Sequence, residues 1–288
     1  MKKIGIVSCK KWNGVIKEDV MLCNKLNDLG YDSSIVSWDE PGIDFTVFDC
    51  LVLRSAWGYQ NAYDSFVAWL LDIKRNNILM FNDVSIIFDN MRKDKQFALL
   101  DQYRIPHIPT LFIKDYEELK SILNNETGDM VIKPIISGSG ENTFNMGVGD
   151  KEEIIRKFGT IMNGSTDNGA MIQPYIPEIK DGEFACVFIN GENTHNMLRF
   201  PGVFSSSEKP IYLECVPYEV LDLAYRVREI PEFGNHLYMR VDIVYSNGIP
   251  VIMEVELTEP DLLIKYIPDM EKRDEIVTKF AKKLERKL

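Results

Sequence analysis

Residues 240–257 read Arg240-Val241-Asp242-Ile243-Val244-Tyr245-Ser246-Asn247-Gly248-Ile249-Pro250-Val251-Ile252-Met253-Glu254-Val255-Glu256-Leu257. Two apolar-alternating runs flank Asn247-Gly248, the dipeptide that suits a tight hairpin turn. Strand alternation puts Arg240 and Asp242 on one face, and Glu254 and Glu256 on one face of the returning strand. If those faces coincide, three carboxylates meet one guanidinium. Mg²⁺ suits such a group, because it takes a few carboxylates together with phosphate oxygens and water. A solvated polar face with Lys or Arg neighbours fits the spacing as well.

Upstream, Val131-Ile132-Lys133-Pro134 is followed by Ser137-Gly138-Ser139-Gly140-Glu141-Asn142. A lysine ends a buried strand, and the glycines let backbone amides approach an anion closely. No Gly-Lys-Ser/Thr closes the loop and no helix starts at it, so neither a Walker loop nor a dinucleotide fingerprint is present. A plain hairpin tip has the same appearance. A third element, Met171-Ile172-Gln173-Pro174-Tyr175-Ile176, runs on to Asp181-Gly182-Glu183. It reads either as an ordinary connection or as a hinge offering backbone groups to a base edge and a carboxylate to sugar hydroxyls.

Working outward, residues 1–86 alternate between strand and helix: Ile4–Val7, a helix over 17–29, Ser34–Val36, Cys50–Leu53, a helix over 66–73 and Ile78–Phe81. That rhythm implies a parallel sheet, whose ligands collect beyond the carboxyl ends of its strands. Arg54 and Trp57 leave the third strand at that edge; they read as a substrate contact, or as an internal ion pair and a packed ring. Beyond it come a helix over 90–103, a strand over 109–113 and a helix over 116–123. Strands at 130–132 and 170–172 flank a helix over 151–162, and an antiparallel section with a final helix over about 269–286 closes the chain.

The net charge of −11 argues against an extended nucleic-acid surface. No run approaches the roughly 20 apolar residues of a membrane span, and the first residues lack a signal-peptide pattern. Five cysteines without a CxxC pair and three scattered histidines speak against zinc and for a reduced, cytoplasmic setting.

The ordered set of Lys93, Lys133-Pro134 with its Gly-rich loop, the 173–176 hinge, Glu183 and the 240–256 hairpin resembles the ATP-grasp superfamily. The stretches 52–59 and 256–260, with Asn90, point to its D-cycloserine-forming and glutathione-synthetase-like subgroup. The resemblance implies an α/β ATP-grasp fold: an N-terminal Rossmann-like parallel domain (1–86), a linking helical segment (87–125), and two α+β subdomains (126–180 and 181–288) that clamp ATP. It implies that Lys93 and Lys133 hold the ATP phosphates, with Lys95 competing for the first role. Ser137, Gly138, Ser139, Gly140 and Asn142 would close over them. Gln173, Pro174, Tyr175 and Ile176 would line the adenine pocket, and Glu183 would meet the ribose. Asp242, Glu254 and Glu256 would bind one or two Mg²⁺, or Mn²⁺, and Arg240 would stabilise the transferring phosphoryl group. Glu256 stands where many relatives have Asn. Arg199, in a stretch (198–207) where relatives face the acceptor, joins Arg54 and Trp57 as a substrate residue. The implied activity is an ADP-forming ligation of a small carboxylate to an amine through an acyl phosphate, with a homodimer left open. A small-molecule kinase, a non-catalytic ATP-binding protein and a peptide-modifying ligase are the alternatives.

Overall fold

The computed structural model describes residues 1–125, 128–138, 140–146, 151–164, 169–200, 209–234 and 236–287. Ser139 and the end of the 198–207 stretch lie outside the described residues. The first sheet is parallel and ordered β2-β1-β3-β4, from β1 (Lys3–Ser8), β2 (Asp32–Ser37), β3 (Cys50–Leu53) and β4 (Leu79–Phe81). Helices α1 (Lys17–Asp28) and α2 (Tyr63–Arg75) pack on it. Their apolar residues, Leu22 and Leu26 on α1 and Phe66, Trp69, Leu70 and Ile73 on α2, recur at helical spacing and are buried.

The helix expected over 90–103 is two helices, α3 (Val84–Asn90) and α4 (Lys93–Gln102). Arg92 between them is extended, with φ −101° and ψ 109°. The break frees Asn90 and Lys93 from one continuous helical face, and both then turn toward the C-terminal hairpin. The segment 87–125 is also more than a helical link. It supplies β5 (Leu111–Ile113) and α5 (Tyr116–Asn125) to the second sheet, and β5 begins only after Pro109, which cannot donate to a ladder.

The second sheet is antiparallel in the order β5-β8-β6-β7, with β6 (Met130–Pro134), β7 (Phe144–Met146) and β8 (Ala170–Pro174). Helices α5 and α6 (Lys151–Gly164) cover it through Leu119, Leu123, Ile154 and Phe158. The third sheet is antiparallel in the order β11-β10-β9-β12-β13, from β9 (Glu183–Ile189), β10 (Glu192–Arg199), β11 (Ile211–Leu213), β12 (Tyr238–Ser246) and β13 (Ile249–Glu256). One face packs on α7 (Tyr218–Arg228), whose Val220, Leu223, Ala224 and Val227 are fully or nearly buried. The sequence reading passed over α7 although its apolar spacing is regular. The other face packs on α8 (Met270–Lys287) and shares one core with Ile4, Ile6 and α1, so the first and third sheets are joined. Asn247 and Gly248 have φ of 53° and 77°, the left-handed pair that the hairpin turn requires. Among the described residues no helix is long and apolar enough to cross a membrane.

Candidate functional site

The three sheets meet around a cavity of about 670 Å³. Its walls include Lys93, Lys133, Ser137, Gly138 and Gly140 on one side of the expected set, and Arg199, Arg240, Glu254, Glu256 and Trp57 on the other. One cavity thus gathers residues spread over some two hundred positions of sequence.

The hairpin register explains how. Arg240 lies directly opposite Glu256, and Asp242 opposite Glu254, and the ladder shifts by one residue just beyond, at Met253. The two acidic faces therefore coincide. β13 is an edge strand, and its outward backbone groups are closed rather than left to water. The Val255 N–H donates to Gln96 Oε1 (2.9 Å), and Gln96 Nε2 donates back to the Val255 carbonyl (2.6 Å). Asn90 Nδ2 donates to the same carbonyl (2.7 Å) while its Oδ1 accepts from the Leu257 N–H (2.8 Å). The Ile252 N–H donates to the Pro106 carbonyl, and the Ile108 N–H to the Ile252 carbonyl (2.9 and 3.1 Å). A one-residue slip of β13 would carry Glu254 and Glu256 to the far face, so these bonds hold the acids on the cavity.

Lys93, three residues from each clamp amide, is buried and places its ammonium 2.8 Å from Glu254 and 3.0 Å from the Ser137 carbonyl. Burial would lower its pKa, but Glu254 beside it, together with Glu256 and Glu259, outweighs burial and raises it. Glu254 answers in kind: burial pushes it up, yet Lys93 and Lys133 bring it down to about 2. Lys133 is depressed by burial, with Glu254 pulling the other way, and among the described residues no hydrogen bond or direct ion pair holds its ammonium. Lys95 is exposed and pairs with Asp89 at 2.6 Å, away from the cavity.

Arg240 is buried, and bonds Asp242 through Nε (2.8 Å) and Nη2 (2.9 Å), Glu256 through Nη2, and the Asp261 carbonyl through Nη1 (2.8 Å). Arg199 bridges Asp242 (3.1 Å) and Glu183 (3.3 Å). Burial drives Glu183 and Glu256 up to about 7, against the pull of those guanidinium groups. Glu254 and Glu256 face the cavity and have the oxygen chemistry that Mg²⁺ takes. Asp242 does not: both its oxygens are held by guanidinium groups and it is 2% exposed, so in this geometry it anchors arginines rather than standing free as a ligand. Among the described residues no cage of three His, Cys, Asp or Glu side chains forms.

Gln173, Pro174, Tyr175 and Ile176 end β8 and enter a single turn over Pro177–Asp181, after which Glu183 opens β9. The extended-turn-strand course is as expected, but none of the four lines the cavity. Gln173 is buried and donates to the Thr110 hydroxyl (2.9 Å), and Pro174 is exposed. Ile176 joins a small apolar group with Ile108, Val244 and Met253. Asn142, φ 54°, is exposed in the loop tip and lines a smaller neighbouring recess instead.

Arg54 departs most from expectation as a substrate contact. It is 3% exposed, lies 3.8 Å from Glu18 and 3.7 Å from Asp19, donates to the Pro260 carbonyl (3.1 Å) and stacks on Tyr238. The internal pair is the reading the geometry carries, because α1 brings two acids under the end of β3. Tyr59, expected with Trp57 to wall the pocket, lines the cavity, and so do Trp12, Gln60, Thr258, Glu259 and Asp261, which carried no expected role. A signal existed for Glu259 and Asp261, the acids that continue past Glu256; none existed for Trp12. Glu259 is raised to about 8 by burial and by Glu256.

Comparison with known proteins gives two family matches. Residues 4–82 match "D-cycloserine synthetase DcsG, N-terminal domain", and residues 94–205 match "Prokaryotic glutathione synthetase, ATP-grasp domain". The chain is similar to the glutathione synthetase of Ralstonia nicotianae, 28% identical over 170 residues, 57% of this chain and 49% of that protein. The match thus spans about half the length of that relative. It is 20% identical to the cycloserine biosynthesis protein DcsG of Streptomyces lavendulae, over 84% of this chain and 86% of that one. The crystal structure of D-cycloserine synthetase DcsG superposes with a TM-score of 0.86 at 18% identity, covering 99% of each chain, a likeness of fold.

Proposed function

This chain is an ATP-grasp protein related to D-cycloserine synthetase DcsG and to prokaryotic glutathione synthetase, and from that premise we propose that it is an ADP-forming ligase that joins a small carboxylate to an amine. One observation carries the reading: Lys93, Lys133, Arg240, Glu254 and Glu256 line a single cavity beneath the Gly-rich loop.

A carboxylate does not condense with an amine at neutral pH, because oxide is too poor a leaving group. Transfer of a phosphoryl group from ATP makes a mixed anhydride, from which phosphate departs readily. The protein must spread positive charge over the transferring group and align the attacking and leaving oxygens. Lys133, whose ammonium no described residue holds in a direct ion pair, is suited to ATP phosphates, and Lys93, paired with Glu254 of the hairpin, would approach them from that side. Arg240, fixed by Asp242, presents a guanidinium that does not need to reorganise. Glu254 and Glu256 would hold Mg²⁺, which supplies charge neutralisation on the phosphate oxygens. Gly140, φ 71°, lets the loop turn where a side chain would be strained. Glu141 at the loop tip accepts from Gln60 (3.2 Å) and Asn61 (3.1 Å), so the loop is latched to the N-terminal region over a site that must keep water from an acyl phosphate.

The test is a trapping assay. Incubation with Mg·ATP, a panel of small carboxylates and hydroxylamine should release ADP and phosphate and form a hydroxamate with at least one carboxylate. A stable phosphorylated product, unchanged by any amine, would make the protein a kinase. Nucleotide binding without ADP release across the panel would make it a non-catalytic binder.

A further inference from the structure

Charged side chains around the cavity are nearly all matched with one another. Glu254 meets Lys93, Glu256 meets Arg240, Asp261 meets Lys265 at 2.8 Å, and Arg199 meets Asp242. Among the described residues two cavity-lining charges have no such partner, Lys133 and Glu259. A ligand that offers negative charge to one and positive charge to the other would complete both. Lys133 stands beside the Gly-rich loop and takes the phosphate end. Glu259 stands on the loop after β13 and is built into an aromatic wall. Its backbone carbonyl accepts from Trp57 Nε1 (2.9 Å), and Trp57 meets Trp12 edge to face, centroids 5.9 Å apart at 79°. Both tryptophans leave parallel strands at their carboxyl ends, following β3 and β1.

We propose that Glu259 and the Trp12–Trp57 pair form a subsite for an ammonium group, so that the second substrate is a small amine-bearing molecule that enters as a cation. Glu254, Glu256 and Asp261 also line this cavity, so an anion would meet several acids there, whereas an ammonium beside Glu259 would favour the carboxylate form that burial opposes. A cation satisfies the carboxylate, and these rings attract positive charge, as the Lys11 ammonium 4.8 Å from the Trp12 ring centre shows. Only the word substrate rests on the ligase reading; the subsite itself does not.

The experiment has two arms. In the first, tryptophan fluorescence of the full chain with Mg·ATP is titrated with ethanolamine, serinamide and putrescine, and with ethylene glycol and glycolate as uncharged and anionic counterparts. Saturable changes are expected with the amines, weakened about 10-fold or more in Glu259→Gln, a substitution of nearly equal shape. Mg·ATP binding, the check on folding, should stay within about twofold of the parent. No preference for the amines over ethylene glycol, or an unaltered amine affinity in Glu259→Gln, overturns the proposal. In the second arm ADP release is followed with each amine and a carboxylate panel, and Glu259→Gln should raise KM for the amine while KM for ATP holds. Amines that bind through Glu259 yet release no ADP would sink the ligase and leave the subsite standing. Equal turnover with amines and their hydroxyl counterparts would sink the subsite and leave the ligase.

Discussion

Replacing Gln96 with Met keeps the length and apolar stem of the side chain and removes both ends of its bidentate contact with Val255. Gln96 is 1% exposed and Val255 is fully buried, so water does not readily take over. A buried backbone N–H or C=O left without a partner costs about 1–3 kcal/mol. The Val255 carbonyl keeps its bond from Asn90, so its loss is partial, whereas the N–H loses its acceptor. The sum is roughly 2–4 kcal/mol, or a fall in melting temperature of about 5–12 °C. Stability alone would not separate a clamp from any other buried bond. The specific expectation is that β13, loosened at Val255, holds Glu254 and Glu256 less firmly on the cavity. The surviving folded protein should then bind Mg·ATP about 10-fold more weakly, with a larger loss at low Mg²⁺ than at high. Differential scanning fluorimetry and nucleotide titrations at two Mg²⁺ concentrations measure both. A variant destabilised as stated whose Mg·ATP affinity is unchanged at either concentration would refute the link between the edge clamp and the acids.

Glu254→Gln should abolish ADP formation with the fold intact, since a neutral amide neither binds Mg²⁺ well nor holds Lys93; full activity in a steady-state assay would remove Glu254 from the site. Lys133→Ala and Lys93→Ala should each weaken ATP binding and turnover together, while Lys95→Ala, whose ammonium pairs with Asp89 on the surface, should leave both unchanged in the same titrations. Arg54→Ala strips the cation from buried Glu18 and Asp19 and should cost about 3–5 kcal/mol. Glu18 is raised to about 7 by burial, so its folded pKa lies above its unfolded value; stability is kept at low pH and lost as pH rises toward and through 7. Denaturant melts should therefore show a larger deficit for Arg54→Ala at pH 8 than at pH 5, and an equal deficit at both would refute that account. For Glu259, raised to about 8, the same sign holds. Glu259→Gln should melt progressively above the parent as pH climbs from about 5 to 8 without nucleotide or metal, and parallel curves would count against an unpaired buried acid.

What the sequence disclosed and what it withheld divide along the range of the forces involved. Strand alternation and the Asn-Gly turn are local, and they were enough to put Arg240 with Asp242 and Glu254 with Glu256; that the two faces coincide is set by the register, which pairs them across the hairpin. The choice between Lys93 and Lys95 was not local. Both begin the same helix, and only the break at Arg92 and the position of β13 decide that Lys93 turns inward. Arg54 failed for a related reason. A strand-end arginine reads alike whether it faces a ligand or a pair of acids, and those acids come from α1, thirty-five residues earlier, through packing no spacing rule reports. Trp12 was invisible because one aromatic residue in a loop carries no periodicity. Glu259 was visible as an acid, but its lack of a partner could be known only after every neighbouring cation had been assigned. Among the described residues the absence of a direct match is a property of the whole arrangement, and it is this unpaired acid, more than any motif, on which the proposed ammonium subsite rests.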